Sequence, residues 1–359
     1  MTDTPDQPFD PDDIGSNPDP RDPIGAVIAR RLSRRGLFGA GAAAAALLAG
    51  GAEAQPAHSS GNTPNGGPST LTFPELRHQL APGDAVAEGY EIQLLIRWGD
   101  PIGEEAPEFD VQAQTAERQQ RQFGYNCDYL DFFPLPAGSR SADHGLLVVN
   151  HEYTNANLMF PGLPPVLAQA RRALSPEQVA IEQAAHGLSV VEVRREGGRW
   201  TYARQSRLNR RITAATPMRI SGPAAGHERM RTNADPTGTR VLGTFNNCAG
   251  GNTPWGTVLT AEENFNFYFG GAPAADPQNP QHAAWRRYNI GQNAAYGWNR
   301  HDPRFDLARE PNELNRFGWI VEFDPYDPES VPVKRTALGR FKHEGATHAI
   351  NRDGRVVFY

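Results

Sequence analysis

Four short segments of the sequence place polar, ligand-type side chains directly beside apolar, strand-like runs. The candidate metal ligands in these segments are Glu152, Asn247, Cys248, Glu262, Glu263 and Glu344. Carboxylate and amide oxygens suit hard cations such as calcium, whereas a thiolate suits a transition metal such as iron. The residue types therefore predict a site for cations of both kinds, provided that the fold brings these strand ends together.

Cys248 is the most unusual of these residues because it lies among amides and glycines rather than in an apolar run. Gly250 and Gly251 would let the backbone turn tightly and approach a bound ion. Other interpretations stay open, since a single cysteine is usually a small buried residue. Cys127, in an aromatic segment, is predicted to lie in the core, and a disulfide between the two cysteines would suit an exported protein.

Several function classes are disfavoured by composition and by the motifs that do not occur. The net charge of −6 argues against a nucleic-acid partner. Two cysteines, with no H-E-x-x-H or C-x-x-C motif, argue against a standard zinc site. No G-x-S-x-G elbow supports a serine hydrolase, and no G-K-[ST] follows the glycines to make a phosphate loop.

The N-terminal segment 1–54 has the layout of an export signal. Residues 1–29 are rich in Asp and Pro and are predicted to be disordered. Ser33, Arg34 and Arg35 then open an S-R-R-x-L-F sequence, an Ala/Gly/Leu stretch and a small-x-small cleavage pattern follow, and the whole resembles a twin-arginine signal. We expect export by the twin-arginine (Tat) machinery to the periplasm or outside the cell, with no stable membrane span.

The remaining chain is predicted to be rich in strands. The 36 glycines and 31 prolines favour many short strands joined by turns. Residues 55–84 are interpreted as a linker or loose start, and 85–359 as one domain with a helix after Ser175 and an insertion at 270–316. We expect an all-β chain with helical insertions, in the manner of an irregular β-propeller, and a sandwich is the structural alternative.

The sequence resembles the PhoX-type alkaline phosphatases over roughly residues 85–359. The resemblance rests on residues 243–257 with Glu262, Glu263 and Asn264, on 318–325 and 334–346, and on shorter matches at 125–129 and 150–153. It implies a six-bladed β-propeller with a mixed iron–calcium cluster in its central channel. It also implies hydrolysis of small phosphomonoesters.

The resemblance carries roles over to particular residues. Cys248 matches the cysteine whose thiolate bridges the irons, and Glu344 matches an iron-binding glutamate, so both are expected to act in catalysis. The pair Glu262 and Glu263 matches acidic positions that we assign to calcium. The role of the motif formed by Asn150, His151 and Glu152 is left open.

The chain resembles only the N-terminal part of such a protein. Family members continue beyond the position of Tyr359 with further metal-binding acids and a phosphate-contacting arginine, so we expect this chain alone neither to close a propeller nor to be fully active. The alternatives are a non-catalytic remnant or binding module, and a calcium-dependent propeller hydrolase such as a lactonase, which would need no thiolate.

Overall fold

The computed structural model describes Leu76 and residues 83–272 and 281–359. The chain divides into two compact units, Met1–Tyr90 and Glu91–Tyr359. In the first unit, the described residues form a turn in which the Tyr90 N–H donates to the Ala87 carbonyl. The predicted export signal and most of the predicted linker lie outside the described residues. Within the described part of the chain, no helix is both long enough and apolar enough to cross a membrane.

The first sheet of the second unit has five strands. They are β1 (Cys127–Pro134), β2 (His144–His151), β3 (Gly187–Glu196), β4 (Arg199–Tyr202) and β5 (Arg210–Ile212). Strands β1 to β4 follow one another as antiparallel neighbours, and β5 also pairs with β3. The first seven residues of β3 are all buried, which places this strand inside the core.

The second sheet has six strands in the order β7-β6-β11-β10-β9-β8. They are β6 (Pro217–Ser221), β7 (Arg240–Leu242), β8 (Asn247–Asn252), β9 (Val258–Glu262), β10 (Ile320–Phe323) and β11 (Val333–Arg335). Only the pairing of β11 with β6 is parallel. Strands β12 (His348–Ile350) and β13 (Val356–Phe358) form a separate hairpin.

The helices of the described residues are short, and all but the first, which precedes β1, lie between strands. They are α1 (Ala116–Gln119), α2 (Ala156–Met159), α3 (Leu167–Arg172), α4 (Pro176–Ala185) and α5 (His282–Arg287). The part of the chain that the structure describes also has six 3₁₀ turns, at Glu228–Met230, Phe265–Tyr268, Trp298–Arg300, Pro303–Phe305, Glu313–Arg316 and Thr336–Leu338. The predicted helix after Ser175 is confirmed: Ser175 and Gln178 form a reciprocal capping box and Pro176 opens the helix.

The sheets confirm a mostly-β fold with helical insertions. In the described residues the strands form sheets of five, six and two strands and no closed barrel, so a six-bladed propeller stays a prediction. The apolar run at residues 89–98 predicts a strand that the structure does not form, because residues 91–97 belong to no helix or strand and residues 98–99 form a turn. The side-chain amide of Gln93 takes the place of a neighbouring strand: it donates to Trp200 O at 2.6 Å and accepts from Trp200 N at 3.0 Å.

An aromatic cluster forms the part of the core that supports the 3₁₀ turns. Phe245 stacks on Phe317 at 4.3 Å between ring centroids, and Tyr268 stacks on Tyr296 at 4.2 Å. Trp298 packs edge-on against Phe245. These rings are buried, so they fix the chain on either side of the segment that follows Phe245.

Glu182 of α4 is a buried carboxyl that should make stability depend on pH. Its Oε2 accepts from the Trp298 indole at 2.8 Å, and burial raises its pKa to about 7. A raised folded-state pKa means that folding favours the protonated form, so the contribution of Glu182 to stability falls as the pH rises from about 4.5 to about 7.

We therefore expect Glu182→Gln to unfold at a higher urea concentration than the wild type at pH 8, with a free energy of unfolding greater by on the order of 2–3 kcal/mol. Near pH 4 the two proteins should have equal free energies of unfolding. Glutamine keeps an acceptor for Trp298 and a polar group beside the hydroxyl of Thr154. Glu177→Gln, an exposed change on the same helix, is the control. Equal denaturation midpoints for Glu182→Gln and wild type at both pH values would contradict the prediction.

Candidate metal centre

Two β-bulges bring side chains from the two sheets toward each other. The register of β1 shifts between Cys127 and Leu130, around Asp128, and that of β8 shifts between Asn247 and Gly250, around Cys248. A bulge leaves a residue out of the ladder and re-aims its side chain. The Cys248 thiol lies 3.4 Å from Asp128 Oδ2 as a result.

Glu152 completes a group of three potential ligands. It follows β2, and its N–H donates to Asn126 O at 3.2 Å, which ties it to the start of the β1 bulge. One ligand atom from each of Asp128, Glu152 and Cys248 lies within 4.8 Å of the others, and all three residues are partly buried. All three residues can therefore bind the same ion.

Further negative charge surrounds these three residues. Burial, Asp128, Glu263 and Glu344 together raise the pKa of Glu152 to about 7. Burial, Asp128, Glu152 and Glu263 likewise raise the pKa of the Cys248 thiol. Such crowding of like charges opposes ionisation, and a bound cation would reverse it. The donor set of carboxylates and one thiol thus fits hard cations together with iron.

Glu263 is positioned through the backbone of Asn246. Asn246 adopts φ 52°, its carbonyl accepts from Glu263 N at 3.0 Å, and its Oδ1 accepts from Asn264 N. Asparagine tolerates this left-handed conformation better than most residues. The result is a tight link between the chain entering β8 and the chain leaving β9.

Glu344 lies in the segment before β12 and acts electrostatically on Glu152. Ala346 N donates to Gly250 O at 3.3 Å, which attaches this segment to β8. A Cβ on Gly251 would lie 2.1 Å from Ala346 O, so only glycine allows this approach. Glu344 itself is exposed.

Asn150 holds the Cys248 bulge in place. It is fully buried, and its Nδ2 donates to Cys248 O at 2.7 Å and to Ala249 O at 3.2 Å. Its Oδ1 accepts from Thr260 Oγ1 at 3.1 Å. His151, also buried, shares a hydrogen bond with Ser189 Oγ at 2.7 Å instead. The first two residues of the 150–152 motif are therefore structural, and only Glu152 faces the cluster.

We expect Asn150→Ala to destabilise the protein by about 1–3 kcal/mol, because it leaves the partly buried carbonyls of Cys248 and Ala249 without this donor. Urea denaturation measures this loss, and Asn293→Ala, in an exposed loop, is the control. A loosened bulge should also let a thiol reagent modify Cys248 faster than in the wild type. Wild-type stability combined with a wild-type modification rate would show that Asn150 does not hold the bulge.

Two predicted ligands are engaged elsewhere. Glu262 is fully buried, with Oε1 2.6 Å from Lys334 Nζ and Oε2 accepting from the N–H groups of Gly318 and Trp319. Asn247 is also fully buried and donates to the hydroxyls of Thr244 and Thr260. The assignment of Glu262 to calcium is corrected on this geometry, because Lys334 already neutralises its charge. Asn247 Oδ1 has no partner in the described structure, so Asn247 stays a candidate.

Asp128 is the cluster residue that sequence reasoning missed. It stood within the 125–129 match but was given no role, because a carboxylate in an aromatic strand is not by itself a ligand. The two cysteines are both free, so the disulfide alternative is not formed. Asp131, three residues on, accepts from Asn252 Nδ2 at 2.7 Å and fixes the middle of β1 against the end of β8.

The sequence matches the family described as alkaline phosphatase PhoX over residues 71–359. The chain belongs to the PhoX family. It is similar to the solved structure of Pseudomonas fluorescens PhoX in complex with vanadate, a transition state analogue, with a TM-score of 0.69 and 47% sequence identity. The alignment covers 77% of this chain and 46% of that one, so the chain spans about half the length of this PhoX protein. No protein with curated function matches the chain.

Proposed function

We propose that this protein hydrolyses small phosphate monoesters at a cation cluster held by Cys248 and its neighbouring carboxylates. The observation that carries the proposal is the convergence of Asp128, Glu152 and Cys248 within 4.8 Å, in a chain of the PhoX family. Support also comes from the similar P. fluorescens PhoX, which was solved with a transition state analogue, vanadate.

The chain's own residues would bind and hold the cations. We assign iron to Cys248 and Glu344, and calcium to the carboxylate oxygens of Glu152, Glu263 and Asp128. When bound, the cations would offset the charge of the ester and activate an oxygen nucleophile. The cluster residues lie on bulges and strand ends fixed by Asn150 and Asn246, so little reorganisation is needed to receive ligands.

The test combines metal content with turnover. The purified protein is analysed for iron and calcium, and hydrolysis of a chromogenic phosphate monoester is followed with and without added calcium. Turnover that rises with calcium and disappears on chelation supports the proposal. Metal binding without turnover of any monoester would overturn it in favour of a binding module.

We also propose a detailed architecture for the domain and a cellular location for the protein. The domain over 85–359 would form part of a six-bladed β-propeller around the cluster. Residues 1–54 would direct export through the Tat machinery to the periplasm or the outside of the cell, since Arg34 and Arg35 supply the twin-arginine pair.

We expect that replacing Arg34 and Arg35 together by lysine abolishes export, while Arg30 and Arg31 replaced by lysine do not. Immunoblotting of cytoplasmic and periplasmic fractions gives the measurement. Equal export of both double variants would contradict the twin-arginine assignment.

A further inference from the structure

A cavity of about 720 Å³ lies at the C-terminal end of α3, apart from the acidic cluster. Three arginines line it, Arg171 and Arg172 from α3 and Arg300 from a 3₁₀ turn. The amide side chains of Asn293 and Asn299 add hydrogen-bonding capacity to its wall. The cavity is large enough for an organic molecule and is not limited to a simple ion.

The residues that line this cavity supply no carboxylate, and Glu182, outside the lining, is the buried carboxyl that acts electrostatically on Arg171. Within the described residues, ion pairs are formed by Arg194, Arg304 and others, but by none of the three arginines in the cavity. A cavity wall with three guanidinium groups and no carboxylate attracts anions.

Two of the guanidinium groups are held in fixed positions. Arg300 donates to the carbonyls of Arg171 and Arg172, at 2.6 and 2.9 Å, and so caps the end of α3. Arg171 donates to Thr154 O at 3.3 Å and lies 3.8 Å from the centroid of the Tyr296 ring. Helix capping accounts for the placement of Arg300 but leaves its positive charge, and that of Arg171, in the cavity wall.

Arg172 is the adaptable member of the group. It is exposed, and its side chain has no partner in the described structure. Two guanidinium groups held by hydrogen bonds and one exposed group without a partner are able to bind the oxygens of phosphate or carboxylate groups through their N–H forks.

We propose that this cavity is a second anion site that binds an oxyanion group, either free phosphate or the acidic group of a small organic molecule. The site lies outside the proposed metal cluster and does not depend on phosphatase activity. Arg171 contacts the segment after β2 through Thr154, two residues beyond Glu152, so an occupant would sit on the flank of the domain that carries the cluster.

The test follows the chemical modification of individual arginines by phenylglyoxal in the full-length protein, read by peptide mass spectrometry. Inorganic phosphate and phosphonoacetate, which carries a carboxylate and cannot be hydrolysed as an ester, are the two probes. Sodium chloride at matched ionic strength corrects for screening. Arg207, an exposed arginine outside the cavity, serves as the internal control.

In the wild type, we expect the probes to protect Arg172 and Arg300 from modification saturably and to leave Arg207 unaffected. In Arg172→Glu, the apparent affinity of the probes, measured by protection of Arg300, should fall by at least tenfold. Protection by phosphate identifies the free ion as sufficient, whereas protection by phosphonoacetate alone identifies an organic anion. Equal protection of Arg207, no protection by either probe over the millimolar range, or full protection of Arg300 in Arg172→Glu would overturn the proposal. Metal content and turnover do not enter the readout, so failure of the proposed function leaves this result unaffected.

Discussion

Cys248→Ser should leave the protein folded but reduce both its iron content and its phosphatase turnover by more than about 100-fold. Changes to residues that only orient metal ligands already cost about 10–100-fold in metal affinity or activity, so loss of a ligand should cost more. Serine keeps the size of the side chain and can donate to Asp128, which now lies 3.4 Å from the thiol. The backbone of the bulge is held independently by Asn150, so folding should not depend on the sulfur.

The matched control is Cys127→Ser. Cys127 is exposed, lies one residue before Asp128, and is not among the three grouped ligands. We expect this variant to keep wild-type iron, turnover and denaturation midpoint. The two serine variants make the same substitution, one inside the group of ligands and one beside it.

The outcome separates the candidate functions. A calcium-only hydrolase needs no thiolate, so unchanged turnover in Cys248→Ser would contradict the iron–thiolate assignment and favour that class. Loss of turnover with iron retained would mean that Cys248 acts in the reaction without holding the metal. Loss of both, with unchanged urea denaturation of the chelated protein, is the expected result.

Local sequence signals are sufficient to predict those elements whose contacts join residues close together in the chain. Ser175 and Gln178 satisfy the first N–H groups of α4 within one turn, and the glycines at 197–198 close the β3–β4 hairpin. Residues 91–97 pair in no ladder, and the side chain of Gln93 makes the contact with β4 that a strand would make. No pattern of apolar residues reveals a side chain that replaces backbone pairing.

The sequence indicates which types of residue form the candidate site, but it does not indicate every residue that lies there. Glu263 and Glu344 act electrostatically on Glu152, and Glu152 and Glu263 act on Cys248, while their roles as ligands stay a prediction. Asp128 joins them because a bulge in β1 aims it at β8, and a bulge is set by pairing between distant strands. Glu262 and Glu263 are adjacent acids, and only the position of Lys334, 72 residues away, separates their roles.

The Lys334–Glu262 pair gives the largest expected effect on stability. Both side chains are fully buried, and Lys334 Nζ also donates to Arg316 O at 3.0 Å and lies 3.6 Å from the Phe317 ring centroid. We expect Lys334→Met to destabilise the protein by roughly 3–5 kcal/mol, since it leaves the Glu262 carboxylate buried without its counter-charge. Urea denaturation at pH 7 measures the change, and Lys342→Met, at the chain's other lysine, is the control.

The double variant Glu262→Gln with Lys334→Met should recover most of that stability. Glutamine keeps an oxygen for the N–H groups of Gly318 and Trp319 and removes the charge that the methionine cannot balance. The interaction energy from this double-mutant cycle should therefore be large and favourable. Additive losses in the double variant would show that the packing of Lys334, and not its charge, stabilises β9. Recovered stability with wild-type iron and calcium content would further show that Glu262 supports the end of β9 without binding a cation, which leaves Glu263 as the ligand of the pair.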